Sequence, residues 1–161
     1  MSASRPRRCV TSSILSERIR RARASDREEI ARLSTELGYP MSADEAEKRL
    51  GEIAGHPDHV LLVAEADGRA SGWIQVSLTR IFESARQAEI AGLVVAEASR
   101  GRGIGRRLVE EAARWARENG CGALRVRTNV IREAAQRFYR REGFADVKTQ
   151  RVLEKNLTGD A

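Results

Sequence analysis

Leu93-Val94-Val95-Ala96-Glu97-Ala98-Ser99-Arg100-Gly101-Arg102-Gly103-Ile104-Gly105-Arg106-Arg107 couples an apolar, β-branched run to a turn of alternating glycine and arginine. The turn opens a long amphipathic segment with the spacing of a helix. Glycines at 101, 103 and 105 leave a run of backbone N–H groups uncovered by side chains. A helix N-terminus adds partial positive charge, and Arg100, Arg102, Arg106 and Arg107 add full charges with no acid among them. Such a turn holds a phosphorylated ligand through its backbone and its charge.

Two common phosphate motifs do not fit. A dinucleotide fingerprint starting at Gly101 needs glycine at 106, which is Arg, and one starting at Gly103 needs it at 108, which is Leu. No Lys-Ser or Lys-Thr pair follows the last glycine, as a Walker loop requires. What remains is Arg-x-x-Gly-x-Gly at Arg100, Gly103 and Gly105. Read alone, it is equally a plain helix start with glycine chosen for tight packing.

The hexapeptide resembles the pyrophosphate-binding motif of the GNAT superfamily of N-acetyltransferases, whose ligand is acetyl-CoA. Arg137-Phe138-Tyr139-Arg140-Arg141-Glu142-Gly143-Phe144 resembles a second hallmark of that family, a tyrosine-bearing helix ending in Gly-Phe. One helix, one strand and a second helix fit between the two motifs. Glu89-Ile90 opens the strand before the glycine turn, where many members carry an acid. The resemblance runs from about Glu89 to Phe144, with weaker similarity back to Ile19.

The resemblance implies a mixed α/β (α+β) fold, with a twisted, mostly antiparallel sheet splayed at the coenzyme site and helices on both faces. It implies acetyl transfer from acetyl-CoA to a primary amine of a small molecule or peptide, by direct attack in a ternary complex and without a metal. Coenzyme contacts then fall on Leu93, Val94 and Val95, on Arg100, Gly101, Arg102, Gly103, Ile104, Gly105 and Arg106, and on Asn129 and Arg132. Tyr139 is the implied general acid toward the leaving thiolate, and a buried helix face is the alternative for the Phe138-Tyr139 pair. Glu89, 11 residues before Arg100, is the candidate base; an acid at a strand start also serves as a solvated residue or as a ligand of the amine. Tyr39, in Leu37-Gly38-Tyr39-Pro40, is the candidate acceptor-site residue. Several relatives carry Asn at the position of Ile131 and His at that of Gln136, and this chain departs at both. A coenzyme-binding module without turnover is the alternative function. A homodimer is compatible with the resemblance, although nothing in the sequence fixes an interface.

Composition narrows the partners. The 161 residues fit one domain, expected over 18–161, behind a flexible basic arm at 1–17. Residues 1–23 hold seven arginines and one acid, and the rest holds 22 bases and 22 acids, so the net +6 resides in residues 1–23. A neutral body argues against a nucleic-acid partner. No run of 18 apolar residues predicts a membrane span, and the N-terminus lacks a secretory-type apolar stretch. Cys9 and Cys121 are the only cysteines, which fits a reducing cytoplasm. His56-Pro57-Asp58-His59 reads as a loop rather than a metal site. Residues 24–66 hold ten acids and four bases, a border that would attract cationic amines if it faced the acceptor, or simply solvated helix faces.

Periodicity predicts a strand at Ile19–Ala24, a helix capped by Ser25-Asp26 through Leu37 with Glu28 at the capping-box position, and a second helix capped by Ser42 to about Ala54. Strands are expected at Val60–Ala66 and Arg69–Leu78, joined by Asp67-Gly68. The central strand is expected at Ala88–Val95, with Gly92 marking a bulge or a close backbone approach. Beyond it lie a helix over 103–119, a strand at Ala123–Thr128, a helix at Arg132–Glu142, and a last strand or hairpin at Ala145–Leu157. Trp115 falls on the apolar face of the long helix and reads as core.

Overall fold

The computed structural model describes residues 17–159, so most of the basic arm lies outside the described residues. The chain packs as two compact units, one ending at Arg127 and one beginning at Thr128. The first carries a five-stranded sheet in the order β1 (Arg18–Arg21), β2 (His59–Ala66), β3 (Arg69–Thr79), β4 (Gln87–Val95) and β5 (Leu124–Val126). All neighbours are antiparallel except β4 and β5. Asp67 and Gly68 both take positive φ, +54° and +74°, and turn the β2–β3 hairpin.

Period-two alternation sends the two sheet faces to different helices. Leu61, Val63, Trp73 and Val94 join Ile30, Leu33, Ala46 and Leu50 in one core, under α1 (Arg27–Leu37) and α2 (Ala43–Ala54). The opposite residues, among them Ile74, Val76, Leu78 and Ile90, are also buried. On that face lies α3 (Ile104–Glu118), which buries Leu108, Val109, Ala112, Trp115 and Ala116. Helices thus cover both faces, as expected, and Trp115 is core. Among the described residues no helix is long and apolar enough to cross a membrane.

Strand β4 is irregular where the glycine stands. Gln75 pairs with Gly92, but its neighbour Val76 pairs with Ile90, so Ala91 is the extra residue of a bulge. Strand β5 pairs only with Ala88, Glu89 and Ile90. From Ala91 to Val95, β4 has β3 on one side and no strand on the other among the described residues.

The start of α1 corrects the expected cap. Asp26 stands at the N-cap of α1, yet its side chain accepts nothing from the first turn of that helix. It accepts instead from Arg20 Nη1 and Nη2, both at 2.8 Å, and from the Arg23 N–H at 2.7 Å. A bidentate pair with a guanidinium outcompetes a single bond from carboxylate to helix amide. Ser42 does cap α2, accepting from the Glu45 N–H at 3.1 Å.

The second unit contains α4 (Glu133–Arg141). The strand or hairpin expected at Ala145–Leu157 is absent: no residue there is in a strand, and Val147, Val152, Leu153 and Leu157 are exposed. Ala145, Val147, Leu153 and Leu157 fall on alternate positions, but among the described residues no strand of the sheet pairs with this stretch, and propensity alone does not make a strand.

Burial raises the carboxyl of Asp26, but the hydrogen bonds from Arg20 and the Arg23 N–H outweigh it and hold the group below its ordinary 3.8. The folded state therefore binds this proton later than the unfolded chain as pH falls. Its stabilisation is complete well above 3.8 and is lost as pH drops through the depressed value. Asp26→Asn is expected to cost about 2 kcal/mol in urea denaturation at neutral pH, and the gap to the native chain to close as pH falls below 3.8.

Candidate active site

The glycine turn closes as a left-handed step into a helix. After a 3₁₀ turn at Glu97–Ser99, Arg100 is extended and Gly101 takes φ +77°. Gly103, the N-cap of α3, takes φ +78°, a conformation that costs any side chain with a Cβ. The first intrahelical bond runs from the Arg107 N–H to the Gly103 carbonyl at 3.1 Å. The N–H groups of Ile104, Gly105 and Arg106 therefore have no helical acceptor. No acid sits in this first turn. The Ile104 side chain is core, 2% exposed, so its backbone N–H is what it offers to an anion.

The arginines are less free than the sequence implied. Arg107 donates to Glu17, with Nη1 at 3.1 Å from Oε2, and Arg102 Nη2 lies 3.8 Å from Oε1 of the same acid. Arg106 pairs with Glu110 at 3.0 Å. Arg100 Nε donates to the Val95 carbonyl at 3.2 Å, tying the turn to the open end of β4. Glu17 lies 90 residues away in sequence, so nothing local signals its arrival at Arg107.

On β4, Val94 is buried, and Leu93 and Val95 are partly exposed. Glu89 stands opposite Ser77, which places its side chain on the sheet face that carries Trp73 and Gln75. Arg127 Nη2 lies 3.3 Å from its Oε2. That partner was not foreseen.

The same face carries a cavity of about 430 Å³, lined by residues of α1, α2, β2, β3 and β4 and bordered by Tyr39. Trp73, Ser34 and Gln75 line it without having been anticipated. Gly92 was the available signal. A Cβ there would fall 2.9 Å from Cη2 and Cζ3 of Trp73, so the indole lies directly over the glycine. The glycine thus marks a bulge and a close approach together. The acidic segment does not make this face negative: Asp26, Glu29, Glu36, Glu45, Glu47, Asp58 and Glu65 each pair with an arginine.

In the second unit, Asn129 Oδ1 accepts from the Ile131 N–H at 3.1 Å and orders the turn into α4. Gln136 Nε2 donates to the carbonyls of Asn129 and Val130 at 3.1 and 2.9 Å. Arg132 is the exposed N-cap of α4. Gly143, at φ +89°, ends the helix. Its N–H donates to the Arg140 carbonyl at 3.1 Å, and the Phe144 N–H to that of Tyr139 at 3.0 Å, as in a Schellman stop. Phe144 packs edge-on against Tyr139 at 5.3 Å, and Phe138 does so at 5.1 Å. Of the pair, Tyr139 is the more buried, at 9% exposed, while Phe138 is only partly covered. Burial pushes the Tyr139 phenol up to about 12.

Residues 25–144 match the model of the Acetyltransferase (GNAT) family. An aminoglycoside N(6')-acetyltransferase type 1 of Serratia marcescens is 29% identical over 126 residues, 75% of this chain and 85% of that protein. A glucosamine 6-phosphate N-acetyltransferase 1 of Oryza sativa subsp. japonica is 34% identical over 119 residues, 71% of this chain and 70% of that protein. Among solved structures, the aminoglycoside N-acetyltransferase AAC(6')-Iy in complex with CoA superposes with a TM-score of 0.79 at 22% identity, over 87% of this chain and 95% of that one. A transcriptional regulator from Bacillus halodurans C-125 superposes with a TM-score of 0.78 at 25% identity, over 87% of this chain and all of the other.

The chain has two tyrosines, so Tyr39→Phe leaves Tyr139 as its one phenol. Tyrosinate absorbance in that variant is expected to rise with a midpoint near 12. A midpoint near 10 with native far-UV circular dichroism would instead place the phenol in water.

Proposed function

The chain belongs to the GNAT acetyltransferase family and is an acetyl-CoA-dependent N-acetyltransferase, and we propose that a bound primary amine of a small molecule or peptide attacks the thioester directly in a ternary complex. The observation that carries this reading is one continuous stretch. The β4 edge left open from Ala91 to Val95 leads through the 3₁₀ turn into the free amides of Ile104, Gly105 and Arg106. An extended chain with amide groups fits the open edge as an added strand, and a diphosphate fits the helix start. The coenzyme supplies the activated acetyl group. As the amine nitrogen bonds to the carbonyl carbon, the C–S bond breaks, the amine gives up a proton, and the thiolate accepts one.

The residues divide these tasks. Arg100, Gly101, Arg102, Gly103, Gly105 and Arg106, with the Ile104 N–H, hold the diphosphate, and the backbone of Leu93, Val94 and Val95 holds the pantetheine. An N–H at Val94 or Val95 polarises the thioester carbonyl. Glu89 receives the amine proton, because an aliphatic ammonium with a pKa of about 10 is not a nucleophile at neutral pH. Tyr139 keeps its proton throughout the working range, since burial raises it, and it offers that proton to the departing thiolate. Asn129 orders the loop before α4, and Arg132 reaches the adenosine phosphate. Tyr39 borders the acceptor. We place the enzyme in a reducing cytoplasm, where the buried Cys121 thiol stays free.

Free-thiol release with acetyl-CoA and an amine panel tests the reading. Stabilisation by CoA with no thiol release for any amine would favour the second reading, a non-catalytic coenzyme-binding module, which the likeness to the Bacillus halodurans regulator keeps in view. Glu89→Gln is expected to lower kcat about 100-fold. Tyr139→Phe is expected to lower kcat by more than it raises the KM for acetyl-CoA. Unchanged turnover across the pH range would remove Tyr139 from the chemistry.

A further inference from the structure

Glu89 and Arg127 form an ion pair that is left open. Their atoms Oε2 and Nη2 stand 3.3 Å apart, and among the described residues neither side chain makes a hydrogen bond. Arg20 and Asp26 are the contrast, since both oxygens of Asp26 accept a guanidinium N–H at 2.8 Å. A fork of that kind ties the fold together, whereas the pair at Glu89 keeps unused donors and acceptors. The Arg127 side chain is 74% exposed and that of Glu89 25%, so a ligand can reach both. Strand β5 runs parallel to β4 with Arg125 beside Glu89, which puts the Arg125 side chain on the same face. There Arg125 Nη1 donates to Gln87 Oε1 at 2.8 Å. Two guanidinium groups thus flank one carboxylate, and the local charge is positive.

An acceptor amine delivered to Glu89 meets Arg127 at once. An ammonium group without a counter-charge would sit beside the guanidinium at a spacing where like charges repel. An anionic group next to the amine reverses the sign. The ammonium then takes the place of Arg127 at Glu89, the oxyanion takes the place of Glu89 at Arg127, and one open pair becomes two charge-assisted contacts. The 3.3 Å spacing limits the link: about one or two carbons separate amine and anion, as in an α- or β-amino acid. The unpaired edge of β4 begins at Ala91, just past Glu89, so an amine held at Glu89 lies next to the backbone assigned above to the coenzyme. We propose, resting on the acetyltransferase reading above, that the acceptor is a zwitterion, a primary amine with a carboxylate or phosphonate oxyanion beside it, and that Arg127 selects it. The oxyanion is bound and takes no part in the acetyl transfer.

The test uses the full chain and acetyl-CoA, and sets each anionic amine against the amine left when its acid is removed. L-phenylalanine is compared with phenethylamine, and β-alanine and 2-aminoethylphosphonate with ethylamine. Thermal stabilisation by acetyl-CoA is read first, then thiol release. A kcat/KM at least about tenfold higher for the anionic member of one or more pairs supports the proposal, and the pair that responds tells carboxylate from phosphonate. Thiol release with no pair reaching that ratio overturns the proposal and leaves the acetyltransferase reading standing. Stabilisation without release from any amine of the panel also overturns the proposal, and no stabilisation by acetyl-CoA overturns both. Arg127→Gln keeps much of the side chain and removes its charge. Its KM for the preferred anionic amine should rise about tenfold, while that for the matching amine without the acid stays level or falls. A purely structural role for Arg127 would raise both alike. An equal rise in both, with native circular dichroism, would overturn the selecting role given to Arg127.

Discussion

β4 cannot stay regular past Ile90, because the Trp73 ring occupies the space that a side chain at position 92 would fill. Glycine is the residue that fits, and the bulge at Ala91 takes up the change of register. Beyond that point β5 no longer pairs with β4. Among the described residues no strand then pairs with the outer edge of β4 over Ala91–Val95, where the Val95 carbonyl accepts from Arg100, and the Trp73 indole lines the neighbouring cavity. In a sheet such an exposed edge is a liability. Under the proposed function it is where an amide-bearing chain docks, and the cavity next to it is where the acceptor sits.

Arginine is spent within the first unit largely on neutralising its own acids. The excess of acid over base in residues 24–66 reads as a negative field in sequence, yet seven of those ten acids face arginines drawn from β1, α1, α2, β3 and the loop before β4. A field is a sum over space, and pairs such as Arg69 with Glu29, 40 residues apart, are invisible to a count along the chain. The same holds for Glu17, which reaches Arg107 and Arg102 beside a turn that has no acid of its own.

What could be read from the sequence follows the range of the forces involved. The hairpin at Asp67-Gly68, the Ser42 cap and the glycine start of α3 depend on a few adjacent residues, and each was legible. Gly92 was legible as an irregularity, but its cause, a tryptophan on the adjacent strand, was not. Asp26 looked like a helix cap because a cap is local; its partner Arg20 lies across the 3₁₀ turn and binds it more strongly. The stretch after Phe144 misled in the other direction. Its valines and leucines raise strand propensity and mostly alternate, but a strand also needs a neighbour to pair with, and among the described residues none pairs with this stretch.

The two substrates of the reaction differ in the same way. A diphosphate and a chain of amides are met by backbone N–H and C=O groups, and backbone is arranged by glycine, a residue whose conformational meaning survives in a linear sequence. Under the proposed function the acceptor meets side chains from two helices and three strands, whose meeting depends on register. Membership in a family therefore speaks to the donor more directly than to the acceptor. Two relatives can share the Arg-x-x-Gly-x-Gly turn and take unlike amines, because the wall that selects the amine is built from residues the turn does not constrain. In this chain that wall is largely apolar, and among the described residues no carboxylate lines it. Its chemistry is a closer guide to the acceptor than the names of its relatives.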